Sequence, residues 1–306
     1  MLYDLIIVGA GPAGLSAAIY AVRKKFKALV LASAASGQTA EAHLVENYLG
    51  IEAVSGVDLT QKFLDHAKSL SVQIKDGVPV EKITPQGGVF EVATTNAVFS
   101  AKSVIVATGK KYRPLEVPGA KEFEGKGITY CATCDAPLFK NKAVAVVGAG
   151  DAGQDAAWQL TKYASKVYLL NKYPAMRGEN RQVQEALAKH PQVEIFNSCE
   201  PLEVKGDKFV KNLVFKCNGG QDRTKEIAVE GIFVEIGSVP ASKFLDGVVN
   251  LNEKGEIIVD PRTNATSCPG IFAAGDVTDI SHKQMIIAAG EGAKAALSVY
   301  DYLKNK

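Results

Sequence analysis

Short, largely apolar runs recur along this chain, and polar or glycine-rich turns separate them. Residues 4–8, 28–31, 103–107, 143–147 and 167–170 are such runs, rich in Val, Ile and Leu. They lack the alternation of a half-exposed strand, so they predict strands of a parallel sheet covered on both faces. Between the first two, residues 13–23 carry small side chains on one face and predict a helix, and residues 152–163 repeat this later. The chain therefore holds two βαβ units. Residues 59–70 place Phe63, Leu64 and Ala67 at helical spacing, an amphipathic helix. Alternation near 78–83 and 89–93 predicts a small antiparallel meander, and further strands are expected near 193–196, 210–216 and 231–236. A strand at 270–276 ending in Gly275-Asp276 and a helix over 284–303 close the chain.

Pro114 and Pro118-Gly119 mark one crossover between domains, and Gly237-Ser238-Val239-Pro240 marks the return. The expected fold class is α/β, with two Rossmann-like three-layer domains. The outer domain takes residues 1–113 and 241–306, and residues 114–240 are inserted into it. A length of 306 residues suits two cores of ordinary size. A net charge of +2 gives no argument for nucleic acid or an anionic membrane. No apolar run approaches the ~18 residues of a spanning helix, and the N-terminus lacks the basic start of a signal peptide. Five cysteines, with only two of them close in sequence, argue against a secreted disulfide framework. A cytoplasmic location is expected.

Each βαβ unit carries a glycine turn between strand and helix: Gly9-Ala10-Gly11-Pro12-Ala13-Gly14 and Gly148-Ala149-Gly150-Asp151-Ala152-Gly153. In that context the first glycine permits the tight turn and the second lets the backbone approach a pyrophosphate. The third lets helix and strand pack closely. The helix N-terminus then offers free N–H groups and a positive dipole end to the phosphates. The acid usually found at the end of the second strand is absent from the first unit, where Ala32-Ser33 stands.

Tyr130-Cys131-Ala132-Thr133-Cys134-Asp135 precedes the second glycine turn. A two-residue spacer lets two sulfurs form a disulfide and lets one thiol resolve a mixed disulfide on the other. Two nucleotide cradles with a dithiol beside the second predict an electron relay. Asp135 is either a proton donor and acceptor for these thiols or a helix N-cap carboxylate. A zinc site would need two further ligands, and no His lies near the pair, so no metal is expected. Cys199, Cys217 and Cys268 are scattered, and inert core or surface roles are expected for them. His43, His66, His190 and His282 show no paired spacing and are read as solvated or locally bonded.

Taken together, Gly-Ala-Gly-Pro-Ala-Gly at 9–14, Cys-Ala-Thr-Cys-Asp at 131–135, the turn at 148–153 and Ala-Ala-Gly-Asp at 273–276 resemble the low-molecular-weight thioredoxin reductases. The resemblance covers nearly the whole chain. It implies that Gly9, Gly11, Pro12, Ala13 and Gly14 hold the FAD pyrophosphate. Gly37, Gln38, Asn47, Thr108, Gly109, Gly275, Asp276, Lys283 and Gln284 would line the rest of the FAD site. NADPH or NADH would lie against Gly148, Gly150, Asp151, Ala152, Gly153, Asn171, Lys172, Arg177, Ile236 and Gly237. It further implies a homodimer, thioredoxin or a similar small dithiol protein as partner, and a nicotinamide domain that rotates between two orientations. Cys134 would face the flavin and Cys131 would attack thioredoxin.

The chain departs from that pattern after its second nucleotide-domain strand. A His-Arg-Arg run that clamps the 2′-phosphate of NADPH is replaced by Asn171-Lys172-Tyr173, and only Arg177 matches the later Arg. The acid typical of NADH sites is missing from position 171 as well. Pro174-Ala175-Met176-Arg177 is more similar to the flavoprotein component of alkyl hydroperoxide reductase, which prefers NADH. That protein also carries an N-terminal thioredoxin-like extension, and none is expected here, so the chain is not expected to be that full protein. Ferredoxin is the alternative donor. A flavin-dependent dithiol oxidase and a redox sensor without turnover are the alternative activities.

Overall fold

The computed structural model describes residues 1–35, 37–42, 44–178, 180–218 and 223–305; Ser36 and His43 lie outside the described residues. The chain divides into two compact units, Met1–Lys111 with Val239–Lys306, and Tyr112–Ser238.

In the first unit five strands run parallel in the order Gln73–Lys75, Ala28–Leu31, Leu2–Val8, Val98–Val106 and Ile271–Ala273. The central strand explains why Leu5 to Val8 are all apolar. Leu5 and Ile7 enter the core beneath the helices, Ile6 and Val8 enter the core on the opposite face, and both faces are covered. The Val98–Val106 strand extends five residues further towards the N-terminus than its apolar run predicts. Its first half pairs antiparallel with Val89–Thr94 and leaves Val98 and Lys102 exposed, so apolarity alone does not reveal it. Helix Gly56–Ser69 begins before its first expected residue because Ser55 caps it, accepting from the Asp58 N–H at 3.1 Å. Helices Pro12–Arg23 and Met285–Lys304 cross in close contact: a Cβ on Gly292 would sit 1.9 Å from the Ala13 carbonyl oxygen.

The second unit repeats the plan. Its parallel order is Val193–Asn197, Lys166–Asn171, Ala143–Val147, Gly231–Val234 and Ile128–Thr129. Helix Asp151–Leu160 follows the glycine turn and ends short of Tyr163. Helix Arg181–Lys189 is not among the expected elements, since it is polar and buries only Leu187. Instead, its start is fixed by Asn180, whose side chain accepts from Val183 N–H at 3.2 Å. An antiparallel ribbon of Cys199–Gly206, Val210–Cys217 and Arg223–Ala228 completes the unit, and only its middle strand is expected from the sequence. Among the described residues no helix is long and apolar enough to cross a membrane, and no acidic, His or Cys cluster suits a metal.

Candidate redox site and nucleotide cradles

The two glycine turns match each other closely. Gly9 and Gly148 have φ +111° and +109°, which a side chain rarely adopts. Added Cβ atoms there would lie 2.2 Å from the Ala107 oxygen and 2.3 Å from the Glu235 oxygen. Gly11 and Gly150 share φ −76° and ψ −174°, and a Cβ on either would meet nothing within 4 Å. Gly14 and Gly153 each approach the first glycine's carbonyl so closely that a Cβ would be 1.9 Å from it. Neither helix start has a side-chain cap. Each turn thus presents uncapped helix N–H groups beside a glycine with open space, a cradle that fits a pyrophosphate. Pro12 fills the first helical position of one helix and Asp151 that of the other.

Several further residues expected at the flavin site are gathered in the first unit. Gly275 has φ +77°, and its N–H donates to Glu291 Oε2 at 2.7 Å. Desolvation pushes the Asp276 carboxyl above its ordinary range, Lys110 and Lys283 pull it back, and Glu256 adds to the rise. Desolvation likewise raises Glu291, against the Gly275 N–H and the ammonium groups of Lys294 and Lys283. Lys283 donates to the Thr278 carbonyl and lies 3.4 Å from Glu256 Oε1. Asn47 Nδ2 donates to Gln284 Oε1 at 3.2 Å. Thr108 Oγ1 donates to the Ala241 carbonyl at 2.7 Å, and Ala241 N–H returns a bond to Gly109 at 3.0 Å. Gly37 has φ +51° and opens the single turn Gln38–Glu41. Glu256, Glu291 and Gly292 do not stand out in the sequence. Each lies in an ordinary polar or helical stretch without a motif.

In the second unit Cys131 and Cys134 are joined as a disulfide at the start of the four-residue helix Ala132–Asp135. Both are half-buried. Cys134 N–H donates to Cys131 Sγ at 3.2 Å, a bond that stabilises negative charge on that sulfur when the pair is reduced. Asp135 does not act as a side-chain cap. Its Oδ2 accepts from Thr129 Oγ1, and the same hydroxyl accepts from Cys131 N–H at 3.3 Å. Thr129 therefore ties the carboxyl group to the cysteine backbone, a role that a lone Thr before the motif does not announce. Tyr130 stacks on Tyr112 with centroids 5.6 Å apart and donates to Glu124 Oε1 at 2.9 Å.

At the end of strand Lys166–Asn171, where a dinucleotide's ribose is recognised, the expected clamp residues are already engaged. Asn171 is buried and donates to Asn197 Oδ1 at 2.8 Å. Lys172 pairs with Glu200 at 3.0 Å, and that bond raises the ammonium's pKa. The Arg177 guanidinium lies 3.4 Å over the Tyr173 ring. Gln154, buried in the first turns of the helix, donates to the Ala149 and Arg177 carbonyls at 2.9 and 2.7 Å, so Arg177's backbone is held to the glycine turn. Ile236 and Gly237, the latter at φ +97°, follow strand Gly231–Val234.

Cys199 and Cys217 are not the inert, separate residues that their scatter in the sequence implies: they stand directly opposite each other in the antiparallel ribbon and form a second disulfide. Cys268 is free and half-buried, and desolvation pushes its thiol up, which leaves little thiolate. His190 Nδ1 accepts from Gln192 N–H at 3.3 Å, a local bond of the kind anticipated.

Residues 3–292 match the family described as Pyridine nucleotide-disulphide oxidoreductase, whose members use FAD and NAD(P)H. The chain is 41% identical over 305 residues to the F component of the alkyl hydroperoxide reductase of Pseudomonas putida, covering 98% of this chain and 58% of that protein. It is 37% identical to a Bacillus subtilis protein named NADH dehydrogenase, again spanning 58% of the relative's length. The thioredoxin reductase of Streptococcus pyogenes superposes with a TM-score of 0.92 at 33% identity, covering 100% of this chain and 99% of that one.

Proposed function

The chain belongs to the pyridine nucleotide-disulphide oxidoreductase family, and we propose that it reduces a disulfide on thioredoxin or a similar small dithiol protein. The observation that carries this reading is the Cys131–Cys134 disulfide, held half-buried beside the Asp135 carboxyl group in the unit that also carries the second nucleotide cradle. Met1–Lys111 with Val239–Lys306 is the FAD-binding unit in this reading, and Tyr112–Ser238 is the nicotinamide-nucleotide unit.

Gly9, Gly11 and Gly14 with the start of helix Pro12–Arg23 hold the FAD pyrophosphate. Gly275 packs against that helix start, where a Cβ on it would lie 3.0 Å from Ala13 Cβ, and Asp276 follows it. Bound FAD supplies the two-electron link between nicotinamide hydride and disulfide. This chain's residues do the rest. Reduction converts Cys131–Cys134 to two thiols and takes up two electrons and two protons. The Cys131 thiolate attacks one sulfur of the partner's disulfide, and the partner's other sulfur leaves as a thiolate. Cys134 then attacks Cys131 Sγ, re-forms the pair and releases the partner as a dithiol. Asp135, oriented by Thr129, moves the protons. Asn for Asp135 keeps the shape and removes that proton acceptor.

NADH is the donor that the ribose rim favours. The one lysine that follows the second strand is neutralised by Glu200, so a 2′-phosphate would meet a carboxylate beside the ammonium. The B. subtilis relative's name carries the same nucleotide. A homodimer is part of the proposal, taken from the resemblance.

Steady-state turnover with a small protein disulfide as acceptor tests this reading. NADH is expected to support it with a lower KM than NADPH. Glu200→Lys should lower the KM for NADPH severalfold and leave kcat with NADH nearly unchanged. Equal use of both nucleotides by the unmodified protein would remove Glu200 from the account.

A further inference from the structure

The second disulfide lies beside the ribose rim, and the sequence gives it no motif. Strand Val193–Asn197 ends the parallel sheet and Cys199–Gly206 begins the antiparallel ribbon, with Ser198 alone between them at φ +55°. A non-glycine residue in that region persists only where its surroundings hold it. Three contacts run from this junction to the end of strand Lys166–Asn171. Asn197 Oδ1 accepts from Asn171 Nδ2 at 2.8 Å, Ser198 N–H donates to the Tyr173 carbonyl at 2.9 Å, and Glu200 pairs with Lys172 at 3.0 Å. On the other side Asn218 N–H donates to the Ser198 carbonyl at 2.8 Å. The Cys199–Cys217 bond fastens the same two strands between these contacts. Cys199 is only 2% exposed, whereas Cys217 is half-buried and is the more accessible of the two.

We infer that Cys199–Cys217 is a second redox site, one that couples dithiol level to donor binding; this rests on the nucleotide lying at the rim described above. In the step, a thiolate of a reduced dithiol attacks Cys217 Sγ and Cys199 leaves as a thiolate. The second thiol of that dithiol resolves the mixed disulfide. The dithiol becomes a disulfide, and the protein gains two electrons and two protons. The reductant belongs to the chemical class that the proposed reaction produces. Reduction frees Cys199 from Cys217, loosens the Ser198 junction, and with it the hold of Asn197 and Glu200 on Asn171 and Lys172. Accumulated dithiol product thereby weakens donor binding, and exchange with an oxidised dithiol protein restores it.

The test uses the full-length flavin-loaded protein with Cys131→Ser and Cys134→Ser, which leaves three of its five cysteines. Incubation with oxidised or reduced dithiothreitol sets the state, and thiol titration after removal of the reagent reads it. One titratable thiol is expected in the oxidised form and three in the reduced form. Anaerobic flavin bleaching by NADH is then followed in both. The NADH concentration for half-maximal rate should rise about fivefold on reduction, with the limiting rate unchanged. Cys199→Ser with Cys217→Ser should fix the weaker binding and remove its response to dithiothreitol. Three thiols in both forms would overturn the redox site itself. A change in thiol count with equal NADH dependence in both forms would overturn the coupling alone. Bleaching in neither form would overturn the donor reading, and the coupling with it.

Discussion

Cys134→Ser is expected to abolish reduction of a protein disulfide while NADH still bleaches the flavin. The two reactions draw on different parts of the chain. Hydride delivery needs the two glycine cradles, and neither contains a sulfur. Release of the reduced partner needs Cys134, because a mixed disulfide on Cys131 is resolved only by a thiol held beside it. The Cα atoms of the pair are 5.3 Å apart, and the helix start that bears them is fixed by the Cys134 N–H and the Thr129 hydroxyl. Serine preserves the volume and cannot attack sulfur. The loss of turnover should be on the order of 10⁴-fold, as for removal of one member of a concerted catalytic set. The variant should accumulate a covalent complex between Cys131 and the partner, visible by non-reducing electrophoresis. Retained turnover in the variant would place the chemistry elsewhere.

Substitutions at the third glycines should separate the two cradles. Gly14→Ala sets a Cβ 1.9 Å from the Gly9 carbonyl oxygen, and Gly153→Ala does the same against Gly148. A backbone oxygen cannot rotate away, so strand and helix must part. Such overpacking costs roughly 1–3 kcal/mol, and where that cost falls on the bound form a value near 2 kcal/mol weakens binding about thirtyfold. Gly14→Ala is expected to yield protein largely lacking flavin. Gly153→Ala is expected to keep its flavin, read from the absorbance ratio of flavin to protein, and to lose bleaching by NADH. Loss of flavin from Gly153→Ala would show that the second turn does not serve a separate nucleotide.

Much of this organisation is legible in the sequence because it rests on local rules. A strand covered on both faces must be apolar throughout, so Leu5 to Val8 and Val144 to Val147 declare themselves. A turn at φ near +110° needs glycine, so Gly9 and Gly148 do too. The cysteine pair is close enough in sequence to show as a motif. What escapes depends on partners distant in the chain. Glu200 acquires meaning only when the ribbon lays it against Lys172, and a salt bridge between exposed groups leaves no pattern. Cys199 and Cys217 are 18 residues apart and meet only through the register of a hairpin whose first strand mixes Glu and Lys with apolar residues. Glu291 reaches the Gly275 N–H from a helix of ordinary composition, and only the fold brings the two together.

Anaerobic titration of the flavin-loaded protein tests the electron path most directly. Two equivalents of NADH, one for the Cys131–Cys134 disulfide and one for the flavin, should bleach the flavin fully, and addition of an excess of an oxidised small dithiol protein should restore the colour while two equivalents of protein dithiol appear. If NADH leaves the flavin oxidised although dithionite bleaches it, the nicotinamide cradle is not the entry point for electrons. If the flavin is bleached but the disulfide protein fails to restore it, Cys131–Cys134 is not their exit.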